Sequence, residues 1–172
     1  MIEKLQSVDI DIIKSELEIL PKFKTIICLQ CSKETKETSD AIIDPRYPGM
    51  KNYLKEKYNT TFDPNDFKYP LFDMPYINSI MESLKMVNSR VLNLKTTACH
   101  IYHQDKSNVS PRINIPIITN ENCWLIINKE IHHLPAGYCY LVDTTQWHTS
   151  VNASSIDRWS IIGDVTELEF NA

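Results

Sequence analysis

His103, Asp105 and His148 have the residue types and the spacing of a three-ligand metal site. Two imidazoles and one carboxylate on one face of an iron(II) ion, with the opposite face open, form the ligand set of non-haem iron oxygenases. In a His-x-Asp motif on a β-strand both ligands lie on the same side, because side chains alternate with a period of two. The third ligand must come from a strand that folds back, and His148 follows several strand-like runs. The spacing alone also fits a surface histidine beside a surface aspartate.

Arg158 and Ser160 share one strand face by the same alternation. They offer a bidentate cationic fork and a hydroxyl, which suit the binding of a carboxylate. The alternative is a surface arginine paired with Asp157, an arrangement that contributes little to stability. The neighbouring Ile161 and Ile162 favour a buried strand instead, and a buried arginine needs an anionic partner. A metal triad with a carboxylate clamp is what a 2-oxoglutarate-dependent oxygenase requires.

Further motifs accompany these residues in a definite order. They are His-Gln-Asp at 103–105, Arg-Ile-Asn-Ile-Pro-Ile at 112–117, Leu-Pro-Ala-Gly at 134–137, Asp143 shortly before His148, and Asp-Arg-Trp-Ser-Ile-Ile-Gly-Asp at 157–164. On these motifs, residues 97–165 resemble the aspartyl/asparaginyl β-hydroxylase family of iron(II)- and 2-oxoglutarate-dependent oxygenases, near its bacterial relatives that hydroxylate free proline. The agreement of order, intervals and hydrophobic frame is more specific than any single motif. The N-terminal half carries no comparable signal.

The resemblance implies that His103, Asp105 and His148 hold iron(II), with 2-oxoglutarate and O2 as co-substrates. The expected reaction is hydroxylation of an unactivated C–H bond in an amino acid or a peptide side chain. Arg158 and Ser160 would bind the distal carboxylate of 2-oxoglutarate. The animal aspartyl hydroxylases lack the carboxylate ligand, so Asp105 places this chain nearer the bacterial amino-acid hydroxylases.

Arg112 and Asn114 share the inward face of another predicted strand. In relatives the position of Asn114 is commonly a histidine that contacts the co-substrate, so the asparagine departs from the pattern and its contact stays open. Arg112 looks like the arginine that holds a substrate carboxylate in family members. A salt bridge from Arg112 to an acidic loop residue is an equally good alternative.

Two neighbours of the ligands carry predictions of their own. His100 and His103 have opposite strand parity, which predicts that His100 points away from the metal. Asp143 is predicted to orient the loop before His148 by accepting hydrogen bonds from backbone amides.

The positioning elements after Arg90 are short strand-like runs separated by turn residues. The eight runs are 91–95, 97–103, 112–118, 123–128, 130–134, 138–142, 148–151 and 158–165. Eight short strands suit a mainly β fold with flanking helices, a double-stranded β-helix (jelly roll, cupin-like). We predict one domain over 1–172, with a helical and mixed part at 1–88 that covers the roll and a jelly-roll core with the metal site at 89–168.

The N-terminal part shows helical patterns over 7–20, 50–58 and 73–87, and a strand pattern over 23–31. Asp9 or Ser7 would cap the first helix, and Asp73 would cap the third. The apolar stripe of the third helix predicts packing against a sheet.

Composition limits the other classes of function. A net charge of −4 and a pI near 5.7 argue against non-specific binding of nucleic acid. The sequence contains no apolar run near the ~20 residues that span a bilayer, and its acidic N-terminus does not resemble a signal peptide. We therefore expect a cytoplasmic protein whose five cysteines, Cys28 and Cys31 included, are mostly buried free thiols.

Three classes of function are compatible with the sequence. The first is a hydroxylase of a small molecule or peptide, the second a non-oxygenase cupin that binds a metal and a small anion, and the third a degenerate jelly roll kept as an interaction module. The Arg158 and Ser160 clamp favours the first class over the second. Retention of all three metal ligands disfavours the third.

Overall fold

Twelve strands and three α-helices form the described part of the protein, a computed structural model that describes residues 1–21, 25–45, 47–105, 111–165 and 167. The helices are α1 (Ile10–Glu16), α2 (Pro48–Tyr58) and α3 (Pro75–Ser83). The strands are β1 (Ile2–Ser7), β2 (Ile26–Cys28), β3 (Gln30–Cys31), β4 (Tyr69–Pro70), β5 (Val87–Leu94), β6 (Ala98–Cys99), β7 (Arg112–Ile118), β8 (Cys123–Ile127), β9 (Glu130–His132), β10 (Tyr138–Val142), β11 (His148–Asn152) and β12 (Arg158–Asp164).

The strands build two antiparallel sheets and a small ribbon. The six-stranded sheet has the order β1-β10-β7-β12-β5-β2, and the four-stranded sheet has the order β6-β11-β8-β9. Strands β3 and β4 pair separately. The mainly β, jelly-roll prediction is confirmed. The predicted strand 97–103 is much shorter than expected, since β6 ends at Cys99 and only a single bridge follows at His103.

The N-terminal part contributes strands as well as helices. Strand β1 extends the six-stranded sheet at one edge by pairing with β10, and β2 extends it at the other by pairing with β5. The predicted boundary between residues 88 and 89 falls inside β5. The assignment of one domain stays a prediction.

Helix α3 begins differently from the prediction. Its N-cap is Met74 rather than Asp73, and the Met74 side chain makes no capping hydrogen bond. The carboxylate of Glu16 instead accepts hydrogen bonds from the amides of Tyr76 and Ile77, at 2.7 and 2.8 Å. An acidic group at a helix N-terminus satisfies free amides and complements the helix dipole. Helix α1 begins as predicted, with Asp9 accepting from two amides of its first turn.

The main core lies between α1, α3 and the outer face of the six-stranded sheet. Ile13 of α1 and Met81 of α3 are buried in one cluster with Ile113, Ile115 and Ile161 of the sheet. This packing confirms that the third helix lies on the sheet and that the isoleucines of β7 face the helices. Because side chains alternate, the residues between these isoleucines face the interior of the roll.

Two further predictions concern the burial of the cysteines and the presence of membrane-spanning helices. Cys28, Cys31, Cys123 and Cys139 are buried and form no disulfide in the described part of the chain, whereas Cys99 is exposed. None of the helices within the described ranges is long and apolar enough to cross a membrane.

Gly163 allows β12 to lie close to β5. A Cβ atom added there would be 2.5 Å from Ser89 Oγ and 2.7 Å from Met86 Cε. Gly163→Ala should therefore lower the free energy of unfolding by about 1–3 kcal/mol, the usual cost of overpacking, as measured by chemical denaturation. Gly49→Ala is the matched control, because nothing lies within 4 Å of its added Cβ in α2, and it should not destabilise the protein. Equal unfolding curves for the two variants would contradict this explanation.

Candidate metal centre

A backbone bridge brings two of the predicted ligands together. The amide of His103 donates to the His148 carbonyl at 3.0 Å, and the amide of His148 donates to the His103 carbonyl at 2.8 Å. The two imidazole centroids lie 4.4 Å apart. The amide of Asp105 donates to the Thr144 carbonyl at 2.8 Å, which fixes the third ligand to the same segment. The chain thus places a distant strand beside the His-x-Asp motif.

The side chains of these residues converge. One ligand atom from each of His103, Asp105 and His148 lies within 4.8 Å of the other two. The His103 Nε2 atom is 3.6 Å from Asp105 Oδ1, and the His148 Nε2 atom is 3.8 Å from Asp105 Oδ2. Two imidazoles and one carboxylate at this separation suit a divalent transition metal that keeps open positions.

Hydrogen bonds orient both imidazoles. The Nδ1 atom of His103 lies 2.6 Å from the Ile101 carbonyl, and that of His148 lies 2.9 Å from the Gln146 carbonyl. A carbonyl only accepts, so each Nδ1 carries a proton, and in the neutral imidazole each Nε2 then keeps its lone pair. This arrangement is typical of metal-binding histidines. Burial also lowers the pKa of His148, which favours the neutral form that metals require.

Asp143 orients the loop before His148, as predicted. Its Oδ1 atom accepts from the Thr145 amide at 3.1 Å and from the Thr145 hydroxyl at 2.6 Å. Its Oδ2 atom accepts from the Gln146 side chain at 3.3 Å. The carbonyl of Gln146 in turn holds the His148 ring, so the aspartate acts on the ligand through the loop.

A cavity of about 700 Å³ joins the ligands to the inner face of the six-stranded sheet. Every predicted site residue lines it, namely His103, Asp105, Arg112, Asn114, His148, Arg158 and Ser160. The size is within the range of small-molecule sites. Their contacts with ligands stay predictions.

Arg158 is buried in the wall of this cavity, at 4% exposure. Its Nη1 donates to the Trp124 carbonyl at 3.1 Å, whereas its Nε has no hydrogen-bond partner. Asp157 pairs with Lys95 at 2.8 Å, so the alternative of a surface Arg158–Asp157 pair is wrong. Burial lowers the pKa of Arg158. Among the described residues no carboxylate compensates this cation, and a buried cation without one is costly.

The side chains next to Arg158 add polar groups to the same wall. Ser160 is buried on the adjoining inward position of β12. On β7, Asn114 lines the cavity and its Oδ1 atom is buried without a hydrogen-bond partner. Polar groups that fold without partners in the protein are suited to a polar ligand.

Arg112 forms ion pairs with Asp105 and Asp164. A salt bridge was one of the two roles considered for it from the sequence. Its Nη2 atom lies 2.8 Å from Asp105 Oδ2, and its Nε donates to Asp164 Oδ1 at 3.0 Å. The guanidinium also lines the cavity. A role in holding a substrate carboxylate stays a prediction.

The structure adds cavity residues that were not predicted from the sequence. His100, predicted only to point away from the metal, lines the cavity, since β6 ends at Cys99 and regular alternation does not continue to His103. It does not belong to the ligand cluster. The N-terminal part supplies Tyr47, Lys51 and residues 62–64 to the wall, and no motif marked them.

The fold and the site define a class, a jelly roll whose interior combines a His-Asp-His cluster with a buried arginine. A comparison with protein families gives a match to the aspartyl/asparaginyl beta-hydroxylase model over residues 51–167. The chain belongs to the aspartyl/asparaginyl beta-hydroxylase family. The match begins well before residue 97, so it includes part of the N-terminal half. A search of curated proteins gives no match. Membership in a hydroxylase family supports an oxidoreductase activity.

Proposed function

We propose that this protein is an iron(II)- and 2-oxoglutarate-dependent dioxygenase that hydroxylates an unactivated C–H bond of an amino acid or a peptide side chain. The observation that carries the proposal is Arg158, a buried cation without a carboxylate partner among the described residues, in the same cavity as the His-Asp-His cluster. An iron-bound 2-oxo acid with a second carboxylate would supply the missing anion. Family membership supports the same assignment.

His103, Asp105 and His148 would hold the iron through two Nε2 atoms and a carboxylate oxygen. When bound, iron with 2-oxoglutarate and O2 supplies the oxidising power, and the balanced products are hydroxylated substrate, succinate and CO2. Arg158 and Ser160 would bind the distal carboxylate, and Asn114 would offer a further polar contact. The cavity walls position the substrate C–H bond and exclude water.

The two other functional classes explain less of the structure. A cupin that binds only a metal and a small anion at that metal has no need for a buried arginine and a buried serine elsewhere in the cavity wall. A degenerate interaction module has no need for two imidazoles that are held with their Nε2 atoms toward one carboxylate. We therefore place a small molecule or a short peptide in the cavity as substrate.

The test is turnover of 2-oxoglutarate by the purified protein supplied with iron(II). We expect slow succinate formation without substrate, which increases when the right amino acid or peptide is added. Product and succinate are measured by NMR in the same reaction. Asp105→Ala is the matched control and should form no succinate above the buffer rate. Succinate formation equal in Asp105→Ala and the unmodified protein would contradict the proposal.

A further inference from the structure

Four charged residues of alternating sign follow one another from the metal cluster into the sheet. They are Asp105, Arg112, Asp164 and Arg90. Arg112 lies between the two aspartates, at 2.8 Å from Asp105 Oδ2 and 3.0 Å from Asp164 Oδ1. Arg90 Nη1 lies 4.0 Å from the same Asp164 oxygen. Asn88 donates to the other oxygen of Asp164 at 3.1 Å.

This row of charges is almost completely removed from water. The side chain of Asp164 is 0% exposed and that of Arg90 is 1% exposed, while those of Arg112 and Asp105 are 13% and 15% exposed. Loss of one member leaves the opposite charge uncompensated in the interior. The strands explain the order, since Arg112 and Asp164 are direct partners in the pairing of β7 with β12.

The guanidinium of Arg112 has little freedom in this setting. Its Nε donates a hydrogen bond to Asp164 Oδ1, and its Nη2 forms an ion pair with Asp105 Oδ2, so both contacts come from one rigid plane. Asp164 is itself held by Asn88 and the pairing of two central strands. The position of the Asp105 carboxylate is therefore set from the sheet and not by its own loop alone.

We propose that Arg112 is a positioning residue for the metal ligand Asp105, and that Asp164 fixes Arg112 in turn. Arg112 engages Oδ2 of Asp105, which leaves Oδ1 as the oxygen without a cation beside it. The carboxylate is then presented to a metal in one orientation before the metal arrives. The inference rests on the metal site of the proposed function but needs no catalytic turnover.

The charge of Arg112 acts against this benefit, since a cation near the ligand repels a divalent metal. Asp164 carries the opposite charge at 3.0 Å from the guanidinium and cancels most of that repulsion. Removal of Arg112 alone ends its repulsion and leaves the charge of Asp164 in place, so charge alone would strengthen metal binding. Weaker metal binding without Arg112, which is the result we expect, would therefore come from the lost orientation of Asp105.

The experiment measures the dissociation constant of Mn(II) by EPR in the full chain without 2-oxoglutarate. Arg112→Gln should bind Mn(II) about 10–100-fold more weakly, the usual effect of removing a partner of a metal ligand. Arg112→Lys should recover only part of the affinity, because one ammonium cannot contact Asp105 and Asp164 in the geometry of the planar guanidinium. Asp164→Asn keeps an acceptor for Arg112 but loses the compensating charge, and it should also weaken binding. Lys95→Gln removes a cation from an exposed pair and should not change the dissociation constant.

Melting temperatures of the same variants separate positioning from a structural role. A lower melting temperature with an unchanged Mn(II) dissociation constant in Arg112→Gln and Asp164→Asn would overturn the inference. So would unchanged Mn(II) binding with loss of hydroxylated product in Arg112→Gln, which is the result expected for a substrate-carboxylate residue. Absence of Mn(II) binding by the unmodified protein would instead contradict the proposed metal site itself.

Discussion

Substitution of His103 by alanine is expected to abolish stable metal binding and, with it, 2-oxoglutarate turnover. The remaining Asp105 and His148 would offer only two of the three ligand atoms that converge within 4.8 Å. A residue that coordinates the metal directly contributes more to metal affinity than a residue that only orients such a ligand. The loss of affinity should therefore exceed the roughly 10–100-fold that removal of an orienting residue causes. The measurement is metal content after dialysis against a defined free metal concentration, followed by succinate formation.

Two histidine variants serve as controls for His103→Ala. His132 lies outside the cavity beside Glu130, so His132→Ala tests the general effect of losing an imidazole and should retain metal. His100 lines the cavity but lies outside the ligand cluster, so His100→Ala should also retain metal. Equal metal content in His103→Ala and the unmodified protein would contradict the assignment of the ligand.

The inward-facing residues of the cavity wall were predictable because the alternation of side chains along a strand is local. The isoleucines of β7 face the helices, which leaves Arg112 and Asn114 on the inner face, and the same rule places Arg158 and Ser160 on the inner face of β12. His100 is outside the ligand cluster, in agreement with the parity prediction, yet it lines the cavity, because the strand ends before it. Alternation predicts a face only as far as the strand is regular.

The partners of the predicted residues were less predictable, because they come from distant parts of the chain. Glu16 caps α3 from another helix, and this contact replaces the local cap expected from Asp73. Strand pairing brings Asp164 beside Arg112, and Asp105 contacts Arg112 from a segment outside the strands. Strand β2 lies within the predicted strand 23–31, whereas the edge strand β1 carries no strong pattern of its own and depends on β10 beside it.

Removal of the Arg158 guanidinium should have the largest effect on co-substrate binding. Loss of one partner from a buried ion pair costs about 3–5 kcal/mol, which corresponds to a roughly 10²–10⁴-fold weaker affinity for 2-oxoglutarate. Arg158→Lys keeps the charge but loses the bidentate fork, so its loss should be smaller. Ser160→Ala removes one hydrogen bond and should cost about 1–3 kcal/mol, depending on how far the charge of the carboxylate strengthens it. Calorimetric titration of the Mn(II)-loaded variants gives these constants.

Removal of the Arg158 charge should lower the affinity for 2-oxoglutarate but should not lower the stability of the ligand-free protein. Arg158 is a buried cation that no described carboxylate compensates, and its Nε has no hydrogen-bond partner. Arg158→Met fills similar space without a charge, so it should keep or raise the melting temperature in the absence of ligand. The unmodified protein should gain about 2.7 kcal/mol at 2-oxoglutarate concentrations 100-fold above the dissociation constant, and Arg158→Met should lose that gain. A variant that melts earlier yet still gains stability from 2-oxoglutarate would show that Arg158 supports the fold through the Trp124 carbonyl and does not bind the co-substrate.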